Sequence, residues 1–261
     1  MNFGEPRDIG NMRGITPAVK YLLIINIVVF VLEFYFGIGL GRVFALRAGW
    51  YRTFEVGQLF TYMFIHGGPW HLFANMLGLY FIGPTVERTL GSYRFFILYY
   101  VSGMLGGLGW SLLADPMGPP CVGASGAVMG ILGAFGALYP NAKLLLYFII
   151  PVRAWVLVLA LAIWELHETI TTPMIGGIAN AAHLMGGIAG FCYAFSLKHP
   201  HVIAELKEKL PSIGKPRTKR KAPGHQALSK AEIDHILDKI GKQGMGSLTP
   251  REREMLKRAT H

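Results

Sequence analysis

Charged residues are scarce in this sequence of 261 residues. Asp, Glu, Lys and Arg together make up 15% of it, whereas 52% of the residues are hydrophobic. Soluble domains carry about 25% charged residues, so the composition excludes an ordinary soluble fold. Only two cysteines occur, Cys121 and Cys192, which excludes a disulfide framework and a four-cysteine zinc site. The fold must therefore be held together by packing of apolar side chains.

Long apolar runs are what the sequence has instead, and the mean hydropathy is +0.40. A transmembrane helix needs about 20 mostly apolar residues. Six runs approach or reach that length, over residues 18–39, 69–88, 94–114, 124–140, 154–172 and 178–197. The sequence therefore predicts an all-α membrane protein, with six transmembrane helices bundled in a lipid bilayer.

The basic residues are concentrated at the C-terminal end. Residues 198–261 hold 15 of the 25 Lys and Arg residues and 7 of the 15 Asp and Glu residues. Basic segments beside the last membrane span are typical of the cytoplasmic side. With an even number of spans, both termini are expected in the cytoplasm. The segment contains no aromatic residue that could stack on bases, so we expect no nucleic acid partner.

The predicted organisation has four parts. The first apolar run is not followed by a small-residue cleavage site, so we expect it to be a span rather than a leader. With no targeting presequence visible, a bacterial plasma membrane is the default expectation. The parts are a cytoplasmic N-terminal segment (1–17), a six-span domain (18–197), a basic linker (198–228) and a small helical hairpin (229–261) whose helices cover 229–242 and 250–259.

Polar side chains inside spans are costly, so each one is a functional candidate. His71 and Asn75 are four residues apart and share one face of the second predicted helix. Ser125 opens the fourth span, and His183 lies about 7 Å into the sixth. Because these three spans run inward from the same side, their polar groups are expected at one depth.

These residue types fit acyl transfer. A serine hydroxyl becomes a nucleophile when a base takes its proton, and imidazole is the usual base. Glycines on the fourth and sixth spans permit the close approach that this contact between Ser125 and His183 requires. The main-chain N–H of Ser125, with His71 and Asn75, could stabilise an oxyanion. No Asp or Glu lies near this depth on the same three spans, which predicts a Ser–His dyad.

At these positions the sequence resembles the rhomboid family of intramembrane serine proteases. The matching patterns are His-x-x-x-Asn at His71 and Asn75, Gly-x-Ser-Gly at 123–126, and Ala-His followed by Gly at 182–186. The resemblance implies a six-helix bundle, single-span membrane protein substrates cleaved near the outer face, and no cofactor or metal. It implies these roles: catalytic, Ser125 and His183; oxyanion hole, His71, Asn75 and Ser125; supporting, Gly123, Ala124, Gly126 and Gly186. Met129 stands where the family commonly has an aromatic ring against the base histidine, and as a side chain that can contact an imidazole face it is a further supporting candidate.

Three alternatives stay open at this stage. A rhomboid-like pseudoprotease would bind membrane proteins without cutting them. A transporter or channel would also carry polar groups within its spans. Glu165, His167 and Glu168, with His183, could be metal ligands, although their spacing does not match the His-Glu-x-x-His helix of metalloproteases.

Overall fold

A computed structural model describes residues 14–146, 149–171, 177–209 and 230–259. The chain divides into two compact units, residues 1–207 and 208–261. Most of the predicted N-terminal segment (1–17) and of the predicted basic linker (198–228) lies outside the described residues. The predicted division into four parts therefore stays a prediction.

The first unit is mostly helical. Among its described residues, three helices are long and apolar enough to cross a membrane by length and composition: α1 (Pro17–Phe34), α6 (Ser92–Leu113) and α8 (Ala154–Thr171). All six long helices overlap the six predicted runs, with differences of a few residues at most ends. They are α1 (Pro17–Phe34), α5 (Pro69–Leu90), α6 (Ser92–Leu113), α7 (Ser125–Leu138), α8 (Ala154–Thr171) and α9 (Gly177–Lys198).

The connection between α1 and α5 contains three short helices. They are α2 (Leu40–Phe44), α3 (Trp50–Thr53) and α4 (Gln58–Thr61), and a 3₁₀ turn (Tyr62–Phe64) follows. Gln58 is buried and holds this loop together. Its side-chain oxygen accepts a hydrogen bond from the Arg47 main-chain N–H at 3.0 Å, and its amide nitrogen donates to the Val43 carbonyl at 3.3 Å.

The helix α7 lies in the middle of the bundle, where it packs against α5, α6, α8 and α9. Glycines line its contact with α9. A Cβ added at Gly186 would overlap the carbonyl of Gly126, and one at Gly190 would overlap the carbonyl of Gly130. The two backbones are therefore in direct contact, as in other close helix pairs of membrane proteins.

The all-α expectation needs one correction. A two-stranded antiparallel hairpin connects α7 to α8, with β1 (Lys143–Leu146) paired to β2 (Ile150–Arg153). The first strand carries three leucines and the second carries the β-branched residues Ile150 and Val152. Pro151 is tolerated because each strand of a two-stranded hairpin is an edge strand.

The start of α1 is fixed by a carboxylate from another helix. Glu87 of α5 accepts hydrogen bonds from the main-chain N–H groups of Ala18 and Val19, each at 2.9 Å, and from the Thr16 hydroxyl. The first N–H groups of a helix have no partner within it. Glu87 supplies that partner, and its negative charge suits the helix N-terminus.

The C-terminal end of the chain is also helical where it is described. α10 (Pro200–Lys209) occupies the start of the predicted linker, so that part of the linker is a helix. α11 (Lys230–Gln243) and α12 (Pro250–Ala259) match the two predicted hairpin helices within one residue. The ammonium group of Lys239 bonds Glu252 at 2.9 Å and lowers the pKa of that carboxyl to about 2.

Candidate active site

Ser125 is the first residue of α7 and is half-buried. The residue two positions before it, Gly123, has φ +115°, a conformation that side chains rarely adopt. The Gly123 N–H donates to the Tyr62 carbonyl at 3.0 Å, which anchors the turn. The turn therefore directs the chain into α7 so that Ser125 stands at the helix N-terminus.

His183 of α9 faces this serine. Its Nε2 lies 2.8 Å from Ser125 Oγ, a hydrogen-bond distance. The position of His183 is fixed by the neighbouring backbone, since a Cβ at Gly106 of α6 would come within 2.8 Å of the Ala182 carbonyl. Small residues on α6, α7 and α9 thus bring together the two side chains that sequence analysis paired.

Glu165 of α8 completes a row of three polar side chains, and sequence analysis missed this contact. Glu165 Oε1 lies 3.1 Å from His183 Nδ1, on the opposite side of the imidazole from Ser125. The side chain is buried. The signal in the sequence was that Glu165 lies within a predicted span, where any carboxylate is a candidate functional residue. The prediction considered only the three helices that run inward, whereas Glu165 comes from a fourth.

His71 and Asn75 stand on α5, beside the Gly123 turn. A Cβ at Gly123 would lie 2.6 Å from His71 Nε2, so the imidazole ring rests against the turn that leads to Ser125. Asn75 is buried, and its Nδ2 donates to the His71 carbonyl at 2.9 Å. An amide nitrogen has two N–H groups, and this bond uses one of them.

A cavity of about 450 Å³ lies between α7, α8 and α9. Its wall is almost entirely apolar, and the polar side chains of Glu165 and His183 reach it. Met129, one turn after Ser125, contributes to the same wall. The site thus borders an apolar space large enough for several side chains.

The alternative metal cluster does not assemble. Within the described part of the chain, no group of three or more His, Cys, Asp or Glu side chains could hold a metal ion. His167 Nδ1 lies 3.6 Å from Glu168 Oε1, and the His167 side chain is largely exposed. Glu165 instead contacts His183.

Sequence comparisons match two parts of the chain to known families. The sequence model of the rhomboid domain family matches residues 50–200, which include every candidate site residue. A second match, to a family of unknown function (DUF6576), covers residues 224–260.

Similar proteins come from several kinds of organism. Rhomboid protein 1, mitochondrial, of Saccharomyces cerevisiae is 38% identical over 58% of this chain and 44% of its own length. RHOMBOID-like protein 1 of Arabidopsis thaliana is 37% identical over 54% of this chain and 34% of its own. Rhomboid protease GluP of Bacillus subtilis is 33% identical over 61% and 29%. The chain spans less than half the length of each relative.

Proposed function

Because the chain belongs to the rhomboid family and is an integral membrane protein, we propose that it is a serine endopeptidase that cleaves other membrane proteins within or beside their transmembrane segments. The observation that carries this proposal is the 2.8 Å contact between Ser125 Oγ and His183 Nε2 at the N-terminus of α7. A serine and a neutral imidazole at this distance form the minimal unit of nucleophilic acyl transfer.

The reaction proceeds in two stages. Ser125 Oγ attacks the carbonyl carbon of the scissile peptide bond while His183 Nε2 takes the hydroxyl proton. The tetrahedral intermediate then collapses, the C–N bond breaks, and His183 returns the proton to the leaving amine. Water attacks the resulting ester by the same route, with His183 again accepting and then giving back a proton, which frees the acid and Ser125.

The developing oxyanion needs fixed donors. Ser125 is the first residue of α7, so its main-chain N–H has no acceptor within the helix. The positive end of the helix dipole lies at the same place. The second N–H of Asn75 and the ring of His71 complete the set that we assign to the oxyanion hole.

The length of α7 supports a site below the membrane surface. Its 14 residues rise about 21 Å, less than the roughly 30 Å of the hydrocarbon core. We assign all six long helices to membrane spans, with both termini on the cytoplasmic side and the site near the outer face. The relatives come from mitochondria, plants and a bacterium, so a bacterial plasma membrane stays a prediction.

We propose single-span membrane proteins as the substrates. All backbone polar groups of a helix in lipid are bonded within the helix. The substrate must therefore unwind locally before a carbonyl can reach Ser125.

The test is cleavage of a single-span reporter in liposomes by the purified full chain. Wild type is compared with Ser125→Ala and His183→Ala, each with and without a chelator. Ser111→Ala is the matched control, because the Ser111 hydroxyl bonds the Leu108 carbonyl of its own helix at 2.8 Å. We expect cleavage by wild type and Ser111→Ala alone, with no effect of the chelator.

Other results would refute the proposal. Equal cleavage by wild type and Ser125→Ala would exclude Ser125 as the nucleophile. Chelator sensitivity would point to a metal. If no protein cleaves the reporter, a fluorophosphonate probe decides: labelling of wild type but not of Ser125→Ala shows an activated serine, and its absence favours a pseudoprotease.

A further inference from the structure

His183 has two ring nitrogens, and the structure gives each of them a separate partner. Nε2 faces Ser125 Oγ at 2.8 Å, and Nδ1 faces Glu165 Oε1 at 3.1 Å. We propose that Glu165 is a positioning residue for His183, so that the chain works with a Ser125–His183–Glu165 triad rather than with a dyad. The inference rests on the proposed protease function and adds a specific third member to it.

The surroundings of Glu165 explain why its carboxylate would face His183. Glu165 lies on α8, whose neighbouring residues Trp164 and Leu166 are exposed large hydrophobics. Its own side chain is only 11% exposed. A buried charge is costly unless it is paired. Among the described residues, Glu165 Oε2 is buried with no hydrogen-bond partner, and Glu165 Oε1 pairs with His183 Nδ1.

This pairing selects one form of the imidazole. A neutral imidazole carries a proton on one nitrogen and a lone pair on the other. A carboxylate accepts hydrogen bonds, so Glu165 holds the proton on Nδ1 and leaves the lone pair of Nε2 toward Ser125. Nε2 is then ready to accept the serine proton without first changing tautomer.

The carboxylate also acts while the reaction proceeds. When Nε2 takes the serine proton, His183 becomes a cation 3.1 Å from Glu165 Oε1. A negative charge at that distance in apolar surroundings stabilises the cation and hence the tetrahedral intermediate. The proton between the two groups stays on His183 Nδ1 in this scheme, and Glu165 does not touch the substrate.

The test compares substitutions on one helix. Glu165→Gln keeps the shape but removes the charge, and its amide N–H can hold His183 in the wrong tautomer. Glu165→Asp keeps the charge on a side chain one methylene shorter. Glu168→Gln is the matched control, because Glu168 is one turn away on the same helix and its Oε1 lies 3.6 Å from His167 Nδ1.

We expect Glu165→Gln to lower kcat by roughly 100- to 10,000-fold with KM within about 2-fold of wild type. The kcat of Glu165→Asp should be at least about 10-fold higher than that of Glu165→Gln. Glu168→Gln should match wild type. In ¹⁵N-histidine NMR spectra, with His183→Ala used for assignment, wild type should carry the His183 proton on Nδ1 and Glu165→Gln should not.

The outcomes separate this inference from the proposed function. Active wild type, inactive Ser125→Ala and normal kcat in Glu165→Gln would overturn the triad and leave the protease intact. A raised KM with unchanged kcat would also overturn it, since Glu165 would then serve binding alone. If Glu165→Gln does not fold, the wild-type spectrum decides, because a proton on Nε2 of the resting enzyme would refute the inference.

Discussion

The two helices that flank α7 on the His183 side pack in opposite ways. α9 meets α7 backbone to backbone, with glycines at Gly186 and Gly190 against the carbonyls of Gly126 and Gly130. α8 also contacts α7 and α9, but a cavity of about 450 Å³ lies between the three helices, and most of the large side chains of α8 are exposed. We call the contact between α7 and α9 the closed wall of the site, and α8 with the cavity beside it the open wall.

For the proposed protease activity, the difference separates two tasks, which are holding the reacting groups in place and admitting a substrate. Ser125 and His183 stand on the closed wall, where packed backbones hold the reacting atoms at a fixed distance. Glu165 comes from the open wall, beside the space that other side chains could enter. A packed interface has little freedom to deform, so any movement needed to admit a substrate should take place at α8.

The largest effect should follow from disturbing the close contact between α7 and α9 in the closed wall. In Gly186→Ala the new Cβ overlaps the Gly126 carbonyl, so α9 must move away from α7. A shift of about 1 Å between catalytic groups can cost roughly 100-fold in rate. We expect kcat to fall by about 100-fold or more, together with a lower Tm, in reporter cleavage and thermal unfolding assays.

Gly187→Ala is the control for that substitution. A Cβ at Gly187 would lie 3.7 Å from the Met129 carbonyl, which is an ordinary contact. It should keep cleavage near the wild-type rate. If both variants lose activity equally, loss of flexibility in α9 rather than the close approach would be the cause.

The next largest effect should come from a substitution of Asn75 on α5. Asn75→Ala removes an amide that we assign to the oxyanion hole, so turnover should fall by roughly 10- to 1000-fold. The measurement is kcat for the single-span reporter, with Tm recorded in parallel. An effect on kcat without loss of Tm would place Asn75 in the reaction itself.

Asn26 offers a close match for Asn75. Both amides are buried, and both donate to the carbonyl four residues earlier, Asn26 to Leu22 at 2.7 Å and Asn75 to His71 at 2.9 Å. Asn26→Ala therefore loses the same kind of helix bond on α1, away from Ser125. An equal loss of kcat in Asn75→Ala and Asn26→Ala would indicate that Asn75 has only a structural role.

The sequence predicted the closed wall far better than the open one. Apolar runs place the long helices within a few residues, because hydrophobicity and helix length are local properties. Glycine spacing on α7 and α9 indicates close packing, and that packing brings Ser125 and His183 together. Each of these signals can be read along one segment of the chain.

The open wall depends on contacts between distant segments. Which face of α8 meets α9 is set by packing, and its exposed residues are as apolar as its buried ones, so periodicity does not reveal the orientation of Glu165. The β1–β2 hairpin was missed for a related reason, since short apolar runs do not distinguish strand from helix. The bond from Asn75 to the His71 carbonyl depends on a side-chain rotamer, which the sequence does not specify.

A smaller effect should appear when the substrate is changed instead of the enzyme. Since the closed wall holds its reacting atoms fixed, the substrate helix must unwind to reach them. Replacing Gly or Pro near the scissile bond of the reporter by Leu raises helix stability by about 1 kcal/mol for Gly and about 3 for Pro. Cleavage should slow by about 5-fold or more, whereas the same replacement two turns away should have little effect. Equal rates for all reporters would contradict local unwinding.

The smallest effect should come from filling the cavity beside α8 in the open wall. Ala162 of α8 lines the cavity. In Ala162→Phe the larger side chain would fill part of this space and make van der Waals contacts with the cavity lining, which lacks them on that side. α8 should then be held more firmly, with a Tm a few degrees higher and cleavage slower by about 3-fold. Ile163→Phe adds bulk to the exposed face one residue later and should change neither value. Unchanged cleavage by Ala162→Phe together with a raised Tm would mean that the cavity has no part in admitting substrate, and movement at α8 would then no longer account for how a helix reaches Ser125.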